Sequence, residues 1–147
     1  MIPATIDPPV ATPFEPIGQI LVVEDNLVNQ KVSAALLKRL GFVVEIANNG
    51  AEGVAKWAEG EFDAIIMDCQ MPVLDGYSAT AIIREKESAH PRSDGRRLPI
   101  IALTANTMPQ DRQKCLDAGM DDYLTKPVAA SELGAALHRW IFHLNTP

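Results

Sequence analysis

At 147 residues the chain is about one domain long, and with 47% of its residues hydrophobic it can bury a sizeable core. Its 13 Lys and Arg against 19 Asp and Glu leave a net charge of −6, which argues against a nucleic-acid or anionic-membrane surface. Cys69 and Cys115 are too few for a disulfide framework and lack metal-ligand spacing, which favours a reducing cytosol. Neither a basic n-region with an apolar run after Met1 nor a run of about 18 apolar residues is present, so no signal peptide or membrane span is expected.

Residues 1–17 carry Pro3, Pro8, Pro9, Pro13 and Pro16 without hydrophobic periodicity, which reads as a linker or tail tethering the domain at 18–145. Ile20 to Val23 is a short apolar, β-branched run expected to form a strand buried on both faces. It stops at Glu24-Asp25-Asn26. A helix pattern follows with Val28, Val32, Leu36 and Leu40 in register, and Gly41 sits where a C-cap belongs. Phe42 to Ile46 reads as the second strand, and Asn48-Asn49-Gly50 turns the chain into a small-residue helix around Val54 and Ala55. Trp57 on that helix reads as partly exposed. Phe62 to Met67 is the third strand and Tyr77 to Ser88 the third helix. A polar loop from His90 to Arg97 leads to a fourth strand, Pro99 to Leu103, and a helix from Pro109 to Ala118. Asp122-Tyr123-Leu124 is a brief fifth strand. The last helix sets Leu133, Leu137, Trp140, Ile141 and Leu144 on one face.

Five β/α alternations with buried strands imply an α/β fold, a doubly wound five-stranded parallel sheet with five helices. Ligands of such sheets bind at the carboxyl ends of the strands. The polar residues that end the strands here are Glu24 and Asp25, then Asp68, then Thr104, then Lys126. Three carboxylates close together repel unless a cation neutralises them, and Mg²⁺ suits oxygen ligands of this kind. Lys126 offers a mobile point charge and Thr104 a hydroxyl donor. Phosphoryl transfer needs little beyond such positioning and charge stabilisation, and its product on a carboxylate is an aspartyl phosphate.

Four segments carry a resemblance: Val22-Val23-Glu24-Asp25-Asn26, Ile65 through Gly76 (with Met67-Asp68-Cys69-Gln70-Met71-Pro72 and Asp75-Gly76), Ile101-Ala102-Leu103-Thr104-Ala105, and Leu124-Thr125-Lys126-Pro127-Val128. In order and spacing they are similar to the signature segments of the response-regulator receiver family. The resemblance implies a flavodoxin-like sheet in the order 2-1-3-4-5 and a phosphoacceptor at Asp68. It implies Mg²⁺, or Mn²⁺ in its place, held by Asp25, Asp68, the backbone carbonyl of Gln70, and Glu24 through water. Thr104 and Lys126 would act on the phosphoryl group, Thr104 and Tyr123 would form the switch, and Lys126-Pro127 would be cis. Asp25-Asn26-Leu27-Val28-Asn29-Gln30-Lys31 and Arg96 through Ala105 look most like receivers of hybrid sensor histidine kinases, here a C-terminal one; a stand-alone regulator shares these strings.

The partners so implied are a histidine kinase's phosphohistidine domain or a histidine phosphotransfer protein, docking near Asn29, Gln30, Lys31 and the exposed side of the first helix. The segment itself would be cytoplasmic, even within a membrane-anchored parent, and without contact to membrane or nucleic acid. As an isolated domain it would be no enzyme beyond gaining and losing its own phosphate, for a time that Gln70 and Asn106 could tune.

Plainer readings stand beside these. Tyr123 alone could be a half-buried packing residue, and Met67, Met71 and Met120 are spaced for packing. Cys69 reads as a small residue on the far side of the strand. His90, His138 and His143 read as surface residues. A haloacid-dehalogenase-type phosphatase would place its nucleophile after the first strand in an Asp-x-Asp pair, whereas Asp68 follows the third strand and Gln70 stands two residues on. A nucleotide or flavin module would need a glycine-rich turn after Val23. Too little chain follows the last helix for a DNA-binding domain.

Overall fold

The computed structural model describes residues 17–71, 73–89, 96–105 and 108–142. The expected linker up to Pro16, most of the polar loop with His90, and Asn106, His143 and Leu144 lie outside them. The strands are β1 (Gly18–Val23), β2 (Phe42–Ala47), β3 (Ala64–Asp68), β4 (Ile100–Thr104) and β5 (Asp122–Thr125). Between them run α1 (Leu27–Arg39), α2 (Gly50–Glu59), α3 (Gly76–Glu87) and α4 (Pro109–Ala118), and α5 (Ala130–Leu137) follows β5. All pairings are parallel, in the order β2-β1-β3-β4-β5, as the resemblance implied.

Alternation along the strands divides the core in two. Leu21, Val23, Ile65, Met67, Ile100 and Ala102 face α2, α3 and α4 through Trp57, Ala79, Ile83 and Cys115. Ile20, Val22, Ile66, Ile101 and Leu103 face α1 and α5 through Leu37, Leu133 and Leu137. Each such aliphatic side chain removed from water contributes about 1.5–3 kcal/mol before entropy is counted. The first turns explain where the helices begin. Asn26, Asn49 and Asp75 accept from the amides of Asn29, Glu52 and Ser78, capping α1, α2 and α3.

Five expectations need correction. The buried face of α1 is Gln30, Ser33 and Leu37, while Val28 and Val32 point outward. Gln30 is buried because its amide donates to the Glu24 carbonyl (2.7 Å) and to Asn48 (2.8 Å), so it belongs to no docking surface. Trp57 is core, only 8% exposed, because α2 lays it against the sheet beside Phe62. The third strand starts at Ala64, with Phe62 buried just before it. The last helix is not uniform: after Leu137 it widens into a π-helical turn, His138–Phe142. That turn brings Arg139 and the Trp140 indole N–H each 2.9 Å from one Asp122 carboxylate oxygen, tying it to the start of β5. Trp140 therefore packs half-buried and also donates a hydrogen bond.

The edge of the sheet away from the strands' carboxyl ends is clamped by ions. Arg84 of α3 donates to the Gly119 carbonyl (2.8 Å), to Glu87 (2.9 Å) and to Asp121 (2.8 Å). Glu87 and Asp121 in turn accept the backbone amides of Leu98 and Ile100. Three elements are thereby held at the end opposite the candidate site.

Candidate functional site

Register alone assembles the site. Val23 pairs with Met67, so Glu24 follows β1 beside Asp68 at the end of β3. Asp68 pairs with Leu103, placing Thr104 one residue further out. Thr104 pairs with Thr125, and Lys126 comes next. The Lys126 amide donates to the Thr104 carbonyl (2.9 Å), and the Glu24 amide to Ala47 (3.0 Å). The Lys126-Pro127 peptide is cis.

The side chains converge accordingly. Glu24, Asp25 and Asp68 each bring a carboxylate oxygen within 4.8 Å of the others. Lys126 Nζ lies 3.1 Å from Asp68 Oδ1 and 3.4 Å from Glu24 Oε1. Glu24 is 1% exposed and Asp68 4%, whereas Asp25 is open to solvent. Burial and then the Asp68 charge push the Glu24 carboxyl up from its ordinary value, and the Asn26 amide and Lys126 pull it part of the way back. Burial alone would lower the Lys126 ammonium, but the facing Asp68 and Glu24 carboxylates outweigh it and its pKa rises.

This donor set fits a hard divalent cation. Glu24 Oε1 is buried without a hydrogen-bond donor, since Lys126 approaches it as a charge and not in bonding geometry. One ammonium, facing Asp68 and Glu24, is set against a cluster of three carboxylates, and all the available ligands are oxygens, the preference of Mg²⁺.

Thr104 is buried, and Tyr123, half-buried, pairs with Ala102. Alternation puts Tyr123 and Thr104 on the same side of the sheet, toward α4, where the Arg112 guanidinium stands 5.6 Å from the Tyr123 ring centre. Gln70 is exposed, and its amide lies 3.3 Å from Asp68 Oδ1. Cys69, next to Asp68 in sequence, turns to the other side of the strand, as expected, into the core shared with α4, with its Sγ 3.9 Å from that of Cys115. Burial pushes the Cys69 thiol up to about 12, and both cysteines are free. Met67 and Met120 are core and Met71 packs against it; His138 is exposed on the final turn.

The loop between Asp68 and α3 is held at both ends. The Gly76 amide donates to the Cys69 carbonyl (3.1 Å) and the Gly50 amide to the Leu74 carbonyl (3.1 Å). A Cβ on Gly76 would lie 2.2 Å from the Asp68 carbonyl oxygen, so only glycine allows this approach. Between these ties Val73 adopts φ 72°, and it is the one non-glycine residue at positive φ among the described residues. For a β-branched side chain that conformation costs about 1–3 kcal/mol.

Two residues beside this site have features that were not legible in the sequence. Gln30, which fixes the Glu24 carbonyl, looked like a surface residue, and the helical spacing of Val28 and Val32 gave no signal against that reading. Val73 gave one faint signal, a β-branched residue directly before Leu74-Asp75-Gly76 where turn chemistry favours Asn or Gly.

A doubly wound parallel sheet carrying an acidic triad, a lysine and a hydroxyl at its carboxyl edge defines a class of phosphoryl-handling signalling domains. The model of the response regulator receiver domain matches residues 20–138, and the chain belongs to that family. Hybrid signal transduction histidine kinase B of Dictyostelium discoideum is 45% identical over 124 residues, which are 81% of this chain and 6% of that protein. The chain thus spans a small fraction of the curated relative it matches. The receiver domain of sensor histidine kinase PA1611 from Pseudomonas aeruginosa, solved with magnesium coordinated in its active site cleft, is 51% identical. Its TM-score is 0.74, with 84% of this chain and 97% of that one covered. A Saccharomyces cerevisiae co-crystal of the histidine phosphotransfer protein Ypd1 with the receiver domain of Ssk1 matches at 37% identity and TM-score 0.78, covering 86% and 90%. Among the described residues no helix is long and apolar enough to cross a membrane.

Proposed function

We propose that this receiver domain takes a phosphoryl group from phosphohistidine onto Asp68 and so relays a signal in a two-component phosphorelay. The observation that carries this reading is the convergence of Glu24, Asp25 and Asp68 within 4.8 Å, with Lys126 3.1 Å from Asp68. An Asp68 carboxylate oxygen attacks phosphorus, the bond to the donor imidazole nitrogen breaks, and that nitrogen takes up a proton. Lys126 then pairs with the transferred group and Thr104 donates its hydroxyl to another phosphoryl oxygen. Asp25, Asp68 and the Gln70 carbonyl, with Glu24 through water, would hold Mg²⁺, or Mn²⁺ in its place. A bound cation would neutralise the cluster and the incoming oxygens.

Thr104 drawn toward the phosphate opens space for Tyr123 to rotate inward, which remodels the face of α4, β5 and α5. Shared placement of the two residues on one side of the sheet supports this. The donor is a phosphohistidine domain or phosphotransfer protein docking near Asn29, Lys31 and the outward side of α1. Similarity to hybrid kinases supports a cytoplasmic place within such a parent, with residues 1–17 as tether and 18–145 as the receiver.

The test is intact-protein mass spectrometry after incubation with acetyl phosphate and Mg²⁺. One phosphoryl adduct is expected, absent in Asp68→Asn and with chelator. An adduct that survives in Asp68→Asn would overturn the assignment.

A further inference from the structure

Val73 combines two features that folding does not explain. Its backbone is in the left-handed region, φ 72°, where a β-branched residue is strained, and its side chain is 80% exposed, so it adds nothing to the core. Asn or Gly would hold the same turn without strain. The hydrogen bonds at Leu74 and Gly76, together with the Asp75 cap of α3, fix the chain just beyond it. The isopropyl group is therefore presented in one place, five residues after Asp68 on the loop that leaves the acceptor strand. The first turn of α1, which follows the neighbouring strand β1, presents Leu27 and Val28, each 67% exposed. Apolar groups thus stand on the loop after β3 and on the first turn of α1, which follow adjacent strands at the carboxyl edge of the sheet where Asp68 lies.

A small phosphodonor reaches Asp68 without touching them. A protein donor does not: in-line transfer sets its imidazole beside the carboxylate, and the surface around that imidazole must then lie on these segments. We propose that Val73 is a specificity-determining residue of the phosphoacceptor site, whose strained backbone presents an apolar contact to the protein surface surrounding the donor phosphohistidine. This rests on the reading of Asp68 as acceptor given above. The strain persists because the substitutions that relieve it remove the contact.

The experiment compares the full chain with Val73→Asn, Val73→Gly and Val73→Ile. The probes are acetyl phosphate with Mg²⁺ and a panel of histidine-phosphorylated phosphotransfer domains, from which the best donor to the unaltered chain is chosen. Val73→Asn is expected to melt at the same temperature or higher and to take phosphate from acetyl phosphate within about twofold of the unaltered chain. Transfer from the protein donor should fall about tenfold, mainly through KM, as for loss of one well-packed apolar contact. Val73→Ile should retain transfer. Unchanged protein transfer in Val73→Asn and Val73→Gly overturns the inference, and so does an equal loss with acetyl phosphate. If no domain in the panel transfers while acetyl phosphate still labels Asp68, the inference falls and the acceptor reading stands. If acetyl phosphate fails as well, the acceptor reading itself has failed.

Discussion

Gly76→Ala and Gly134→Ala place the same methyl group in helices at opposite ends of the packing scale. At Gly76 the new Cβ would meet the Asp68 carbonyl oxygen at 2.2 Å and the Cys69 Cα at 3.0 Å. Both are backbone, so no rotamer change relieves the clash, and β3 and the start of α3 must part by about 1 Å. Overpacking of that kind costs about 1–3 kcal/mol. It also shifts the acceptor residue, and a misplacement of about 1 Å can slow chemistry on the order of a hundredfold. At Gly134 the nearest atoms are methyl carbons of Leu40 at 3.4 and 3.7 Å, ordinary contacts with a flexible side chain. The loss of unfolded-state freedom then stabilises by about 0.5–1 kcal/mol. Urea unfolding should move the midpoint down for Gly76→Ala and up for Gly134→Ala, with slopes unchanged. Only Gly76→Ala should slow labelling by acetyl phosphate. A Gly76→Ala protein with the original midpoint and labelling rate would refute the claim that this close approach positions Asp68. A matching loss at Gly134 would show that any methyl group disrupts the fold.

Gln30→Leu leaves the buried Glu24 carbonyl without its 2.7 Å donor and should cost about 1–3 kcal/mol by urea unfolding, while an exposed-surface change at Lys31 costs almost nothing. Cys69, buried and with a thiol raised to about 12, should resist iodoacetamide at pH 8 in the folded chain and react fully in urea. Rapid alkylation of the native protein would contradict the described packing.

The parts of this fold that were legible share one cause. Strands buried on both faces must be apolar almost throughout, so Ile20 to Val23, Ile65 to Met67 and Ile100 to Leu103 announce themselves, and the polar residues that end them mark the site. α1 misled because Val28 and Val32 have helical spacing but sit toward its outer side, while Gln30 and Ser33 take the inward positions. Helical period identifies a face and does not say which way it turns when buried polar groups find partners. Trp57 is hidden because α2 lies flat on the sheet, a tertiary fact absent from its small-residue surroundings. The Arg84–Asp121 pair spans 37 residues and the Asp122 clamp on Arg139 and Trp140 spans 17 and 18, separations that local pattern cannot read. The residues that converge at the candidate site were legible because each ends or closely follows a strand, whereas Val73 needed the backbone angle that the structure gives.

The central claim is that phosphate becomes covalently attached to Asp68. Borohydride reduces an acyl phosphate to the alcohol, so treating the phosphorylated chain and sequencing its peptides by mass spectrometry would locate the modified residue. Homoserine at position 68, dependent on Mg²⁺, is the predicted result. Label at another residue, or phosphate that borohydride does not displace, would contradict it.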